Sequence, residues 1–93
     1  MIDLNRTTAE ITAEIRAAAS AAGIETEAAE RWEGDGVTEI WRRGEHGPGT
    51  NSLIVAGRDT QYEPAIDADA GDGEAARTGA IRTTADATAW IRG

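Results

Sequence analysis

Three groups of residues have types and spacings that could do chemistry. The first is acidic: Asp67-Ala68-Asp69-Ala70-Gly71-Asp72-Gly73-Glu74. Carboxylates two residues apart can converge on a hard cation, and glycine permits the tight turn that such a loop needs. Counted from Asp67, however, the fifth position of a calcium loop is Gly71, the sixth is Asp72 and the twelfth is Thr78. An oxygen ligand, a glycine and a glutamate are required at those places. No metal site is therefore assigned, and residues 65–76 are expected to form a mobile, solvated acidic loop. The second group centres on His46, the sole histidine, next to Glu45. A general base needs an orienting partner and a nucleophile. Ser20 and Ser52, the only serines, lie in no nucleophile-elbow context. No catalytic residue is assigned. The third group is Arg42, Arg43 and Arg58 with Gly44, Gly47 and Gly49. Backbone amides and guanidinium groups of this kind could cradle a phosphate, although no phosphate-loop or dinucleotide motif is present.

Tryptophan offers a different chemistry, that of an interface anchor. Residues 24–33 and 37–42 read as a β-hairpin around Gly34-Asp35-Gly36, because Asp-Gly suits a two-residue reversal. With that turn, Arg31 faces Ile40 and Glu33 faces Thr38. Trp32, Val37 and Trp41 then share one sheet face, mixed with Glu30 and Glu39. Trp32, Val37, Ile40 and Trp41 are the interface candidates, since buried aromatic and aliphatic anchors dominate binding energy. Trp90 is expected to face the core.

The elements that must position these residues come from a lean composition. The chain has 93 residues, enough for one domain over its whole length. Nineteen residues are Ala, and only 18 side chains are larger apolar groups, with no Phe. The hydrophobic driving force must come mainly from those 18. Such a core is either modestly stable or completed by a partner surface, including a second copy in a homodimer. Cysteine is absent, which excludes disulfides and thiolate chemistry and favours a reducing, cytoplasmic setting. Neither a signal-peptide pattern at Met1-Ile2-Asp3-Leu4 nor an apolar run of membrane-spanning length is seen. The net charge is −8, from 17 acids and nine bases, all of them Arg. This charge repels nucleic acid and anionic membranes in the mean field. Arg-only basic usage with abundant Ala, Gly, Thr and Asp looks like the coding bias of a GC-rich genome, and an actinobacterium, one of its phages or a halophile would fit.

Thr7 and Glu10 have capping-box spacing at the head of a helix over about residues 8–22. Ile11, Ile15, Ala18, Ala19 and Ala22 form its apolar stripe, and Gly23 ends it. Residues 52–56, Ser-Leu-Ile-Val-Ala, are a continuous apolar run that suits a strand buried on both faces. Residues 60–63 are expected as an edge strand stopped by Pro64. Thr83 and Asp86 cap a last helix over about residues 85–92, with Ala87, Trp90 and Ile91 inward. The fold class is α+β, a small two-layer sandwich of order α-β-β-β-(β)-α. An antiparallel meander of three or four strands carries both terminal helices on one face.

The order α-β-β-β-α resembles the double-stranded-RNA-binding domain. That resemblance implies a grip on phosphates by basic residues near the start of the final helix. Here Ile81-Arg82-Thr83-Thr84-Ala85-Asp86-Ala87 carries one Arg and one Asp, so nucleic acid is not expected as a partner. The function expected is a non-catalytic, cofactor-free binding or regulatory module acting through protein–protein contact. Anion or nucleotide binding through Arg42, Arg43 and Arg58 is the alternative, and a small enzyme the second.

Overall fold

Helix α1, Thr8–Ala21, begins where the sequence places its cap. The Thr7 hydroxyl accepts a hydrogen bond from the Glu10 amide (3.2 Å), and the Glu10 carboxylate accepts one from the Thr7 amide (3.1 Å). Two orphan donors are thereby satisfied reciprocally. At the other end Gly23 takes a φ of 82°. Its amide donates to the Ser20 carbonyl (3.0 Å) and that of Ile24 to the Ala19 carbonyl (2.9 Å). This pair of bonds is the Schellman closure, and Gly adopts its left-handed residue without strain. The computed structural model describes residues 1–31, 33–45, 51–70 and 79–93.

One antiparallel sheet follows, in the order β1-β2-β3-β4: β1 Thr26–Glu30, β2 Thr38–Arg42, β3 Ser52–Ala56 and β4 Ala65–Asp69. Helix α2, Thr84–Arg92, closes the chain, with the Thr83 hydroxyl accepting from the Asp86 amide (3.0 Å). The α+β meander with both helices on one face is the architecture expected from the sequence, and a fourth strand is present, although not at residues 60–63.

Two details differ from expectation. First, the reversal between β1 and β2 is longer than two residues. Glu30 pairs with Thr38 and Ala28 with Ile40, and the last ladder bond runs from the Arg31 amide to the Val37 carbonyl (2.8 Å). Gly34 and Gly36 both take positive φ, and the Asp35 carboxylate accepts from the Val37 amide (2.9 Å). These local bonds spread the turn over more residues. The register change reverses the expected parity between the strands. Trp41 and Glu39 therefore share a face with Glu27 and Ala29, whereas Glu30 lies with Thr38 and Ile40 on the other. Second, residues 60–63 form a turn and the strand starts after Pro64. The Thr60 amide and hydroxyl both donate to the Gly57 carbonyl (3.2 and 3.0 Å), and the Tyr62 amide donates to the Thr60 hydroxyl (3.3 Å). The first part of the expected acidic loop, residues 65–69, is thus β4. Ile66 and Ala68 are buried, and Asp67 and Asp69 alternate with them.

The core lies between the inner sheet face and the helices. Ile40, Leu53, Val55, Ile66 and Ala68 meet Ile11, Ile15 and Ala19 of α1 and Ala87 and Ile91 of α2. Helix α1 touches β1, β2 and β3, and α2 touches β2 and β3. Beside β4, Ile2 and Ile81 join the same core, where the Ile81 amide donates to the Ile66 carbonyl (3.3 Å). Trp90 is half-buried against this core, and its indole N–H donates to the Ser52 carbonyl (2.8 Å). The Asn51 side chain answers by donating to the Trp90 carbonyl (2.9 Å). Among the described residues, no helix is long and apolar enough to cross a membrane.

Candidate functional site

Both helices lie on one side of the sheet, so its other side presents the side chains that alternate outward. Two cross-strand rows define this open face. One row reads Glu27, Trp41, Ser52, Asp69, and the next Ala29, Glu39, Ile54, Asp67. Neighbouring strands are about 4.8 Å apart, so Glu39 and Asp67 stand about 10 Å from each other with Ile54 between them. Val37, Ile54 and Ala56 make a second buried apolar cluster, separate from the main core.

That cluster floors a concavity of about 300 Å³, completed by Ala65 of β4. Tyr62 stands at its wall, 43% exposed. Charged groups line the rest: Arg31, Asp35, Glu63 and Asp67. The turn bonds described above hold Val37 and Tyr62 in place. Gly36 packs beside Thr60, so that the β1–β2 reversal and the β3–β4 connection meet at one end of the sheet. On β4 the Asp67 carboxylate is fixed by the Gly79 amide, which donates to it at 2.7 Å. The concavity is therefore built on strands and hydrogen-bonded turns. An apolar floor with a few convergent polar groups suits recognition of a side chain or small ligand.

The sequence-derived interface candidates divide. Val37 and Trp41 both lie on the open face, with Val37 in the concavity floor and Trp41 half-buried between Glu27 and Ser52. Ile40 is a correction: it points to the helices and has no exposed surface, because along β2 it alternates with Glu39 and Trp41 and so lies on the face opposite theirs. Trp32 lies outside the described residues.

The three arginines proposed for an anion do not come together. Arg42 ends β2 and Arg43 follows it at one end of the sheet, whereas Arg58 follows β3 at the opposite end. Each has its own partner. Arg42 bridges to Glu45 (3.4 Å) and donates to the Arg92 carbonyl at the end of α2 (3.2 Å). Arg43 pairs with Glu25 (3.1 Å) and Glu27 (3.5 Å). Arg58 donates to the Asn5 carbonyl (3.3 Å). Gly44 takes a φ of 83° in the turn after β2, and Gly47 and Gly49 lie outside the described residues.

His46, Asp72 and Glu74 also lie outside the described residues. Asp67 and Asp69 sit on β4 with outward parity, not in a loop. Among the described residues no three His, Cys, Asp or Glu groups are placed to hold a metal ion. Ser52 is buried and donates its hydroxyl to Glu39 (3.3 Å).

A second feature sits at the α1 N-terminus. The Asp59 carboxylate accepts from both the amide and the hydroxyl of Thr8 (2.8 Å each). The Thr8 hydroxyl in turn accepts from the Gly57 amide (2.9 Å), and the Arg58 amide donates to the Arg6 carbonyl (2.8 Å). Residues 57–59 thus clamp the helix start to the end of β3. The amide and hydroxyl bonds from Thr8 hold the Asp59 carboxyl below the usual carboxylate range, with a smaller contribution from Arg58.

Sequence reasoning missed Tyr62, Glu63 and Asp67 as neighbours in one concavity. The available signal was the alternation Ile66-Asp67-Ala68-Asp69, a period of two that marks a strand with a core face and an open face. The chain matches no known family profile, curated protein or solved structure.

Proposed function

We propose that this chain is a non-catalytic protein-binding module of the cytoplasm, acting through the open face of its sheet. The observation that carries the reading is the apolar-floored concavity of about 300 Å³ on the side opposite both helices. Two further features support it. Large apolar groups are scarce in this chain, yet Val37, Ile54, Trp41 and Tyr62 are spent away from the main core. Two of the floor residues, Ile54 and Ala56, also sit on the central strand β3, whose position is better fixed than that of a loop. Its composition suits a small accessory protein of a GC-rich bacterium or phage.

The test is a quantitative pull-down with the tagged full chain and an Ala65→Arg variant. Residue 65 lines the concavity from an edge strand and is half-buried, so a long side chain there fills the site without entering the main core. The expected result is a saturable protein partner retained by the native chain and lost by the variant, with melting temperatures within a few degrees of each other. Equal retention by both chains, or no retained protein at all, refutes the reading.

A further inference from the structure

The charge around the concavity narrows the partner's chemistry. Its lining contains three carboxylates, Asp35, Glu63 and Asp67, against one guanidinium, Arg31. The strands beside it add Glu39 and Asp69 to the open face. The floor, by contrast, is aliphatic: Val37, Ile54, Ala56 and Ala65. A long side chain with an apolar stem and a cationic head matches both halves of such a site. The stem can lie on the floor while the head stays at the polar rim.

We propose that the concavity seats an arginine side chain from a basic segment of the partner protein, an inference that rests on the protein-binding reading above. Arginine fits better than lysine for two reasons. Its planar head can donate to more than one carboxylate at once, and it stacks on an aromatic face such as that of Tyr62. A second copy of this chain is the poorer occupant, because two acidic faces would be brought together and like charges destabilise a shared interface. Asp67 is suited to the task because one of its oxygens, Oδ1, is held by the Gly79 amide. The carboxylate is thereby positioned before the ligand arrives, which lowers the ordering cost of binding.

The experiment is a titration of the isotope-labelled full chain, followed by amide chemical shifts. The probes are four capped heptapeptides that differ only in the central residue: arginine, lysine, citrulline or norleucine. The arginine peptide is expected to shift the amides of Val37, Ile54, Ala56 and Ala65. Replacing arginine by citrulline, which keeps the shape and removes the charge, should weaken binding about fivefold or more. Raising salt from about 20 to about 200 mM should weaken the arginine peptide about threefold, since rim charges are screened. Asp67→Asn and Glu63→Gln should each weaken it by a similar factor while preserving the melting temperature. Binding of lysine as tight as that of arginine removes the planar-head assignment. Equal shifts from norleucine and arginine overturn the cationic inference but leave the sheet-face reading standing. Shifts confined to other surfaces overturn the inference at this site. Concentration-dependent shifts of the same four amides without peptide would assign the face to a second copy instead.

Discussion

A methyl group at residue 57 would occupy the space of the α1 N-terminus. An ideal Cβ built on Gly57 overlaps the Thr8 nitrogen and comes within 2.6 Å of the Thr7 carbonyl carbon. Both are backbone atoms and cannot swing aside. Gly57→Ala is therefore expected to destabilise the fold by about 3 kcal/mol, at the upper end of overpacking costs. In a domain of this size that is a fall of about 12–24 °C in melting temperature, readable by calorimetry. The neighbouring clamp is sensitive to pH. Asp59 and Glu10 both have carboxyls held below their ordinary values by hydrogen bonds from Thr8 and Thr7 respectively. A carboxylate whose folded pKa is depressed contributes stability that is complete above its unfolded pKa and is lost as pH falls through the folded one. Thermal stability should thus be flat above about pH 5 and decline below about pH 4. Asp59→Asn should start lower and decline less steeply, and parallel curves for the two proteins would contradict this assignment. Thr12 makes the opposite prediction. Among the described residues its buried hydroxyl oxygen has no hydrogen-bond partner. Thr12→Val keeps the shape and removes the unsatisfied group, so it should stabilise the protein by about 1 kcal/mol.

At the scale of elements, α2 makes a reciprocal hydrogen-bonded contact with the start of β3, in addition to its core packing and the Arg42 bond to its last turn. The Trp90 indole donates to the Ser52 carbonyl at 2.8 Å, and the Asn51 side chain donates to the Trp90 carbonyl at 2.9 Å. Trp90→Phe retains most of the apolar area but removes the indole donor. A cost of about 1–2 kcal/mol is expected, with the largest rise in hydrogen exchange within α2. An exchange increase spread evenly over the domain would argue against this local role. These elements were legible in the sequence to different degrees, for physical reasons. Helix ends were clear because Thr7, Gly23 and Thr83 act within a few residues of themselves. The apolar run of β3 was clear because Leu53 and Val55 pack under the helices while Ile54 and Ala56 are buried with Val37 in the second cluster. The β1–β2 register was not clear, since Gly34-Asp35-Gly36 is compatible with turns of several lengths, and the bonds that choose one involve Arg31, Asp35 and Val37 together. Strand β4 was obscured by its outward Asp67 and Asp69, which carry the composition of a loop in the geometry of a strand. The concavity depends on both of these points, so its four charged residues could not be grouped from sequence alone.

For the whole molecule, association is a contest between an apolar floor and an acidic surround. The net charge of −8 opposes contact between two copies at neutral pH. The open face concentrates that opposition, because Glu39, Asp67 and Asp69 surround Ile54 and Ser52 there. Apolar attraction between two such faces does not vary with pH over this range, whereas the repulsion does. The sequence isoelectric point is near 4.5. There the mean repulsion vanishes, while the Asp59 carboxyl is held below the usual range by its hydrogen bonds from Thr8. At that pH the surface no longer keeps copies apart. Sedimentation velocity at about 100 μM should find a monomer at pH 7.5 and reversible self-association near pH 4.5. Amide-signal broadening at the lower pH should begin at Val37, Ile54 and Ala65. Added salt at pH 7.5 should move the protein part of the way towards the same state by screening the carboxylates. A dimer already present at pH 7.5 in low salt would mean that apolar contact outweighs the charge, and that the open face is closed by self-association before any basic partner arrives.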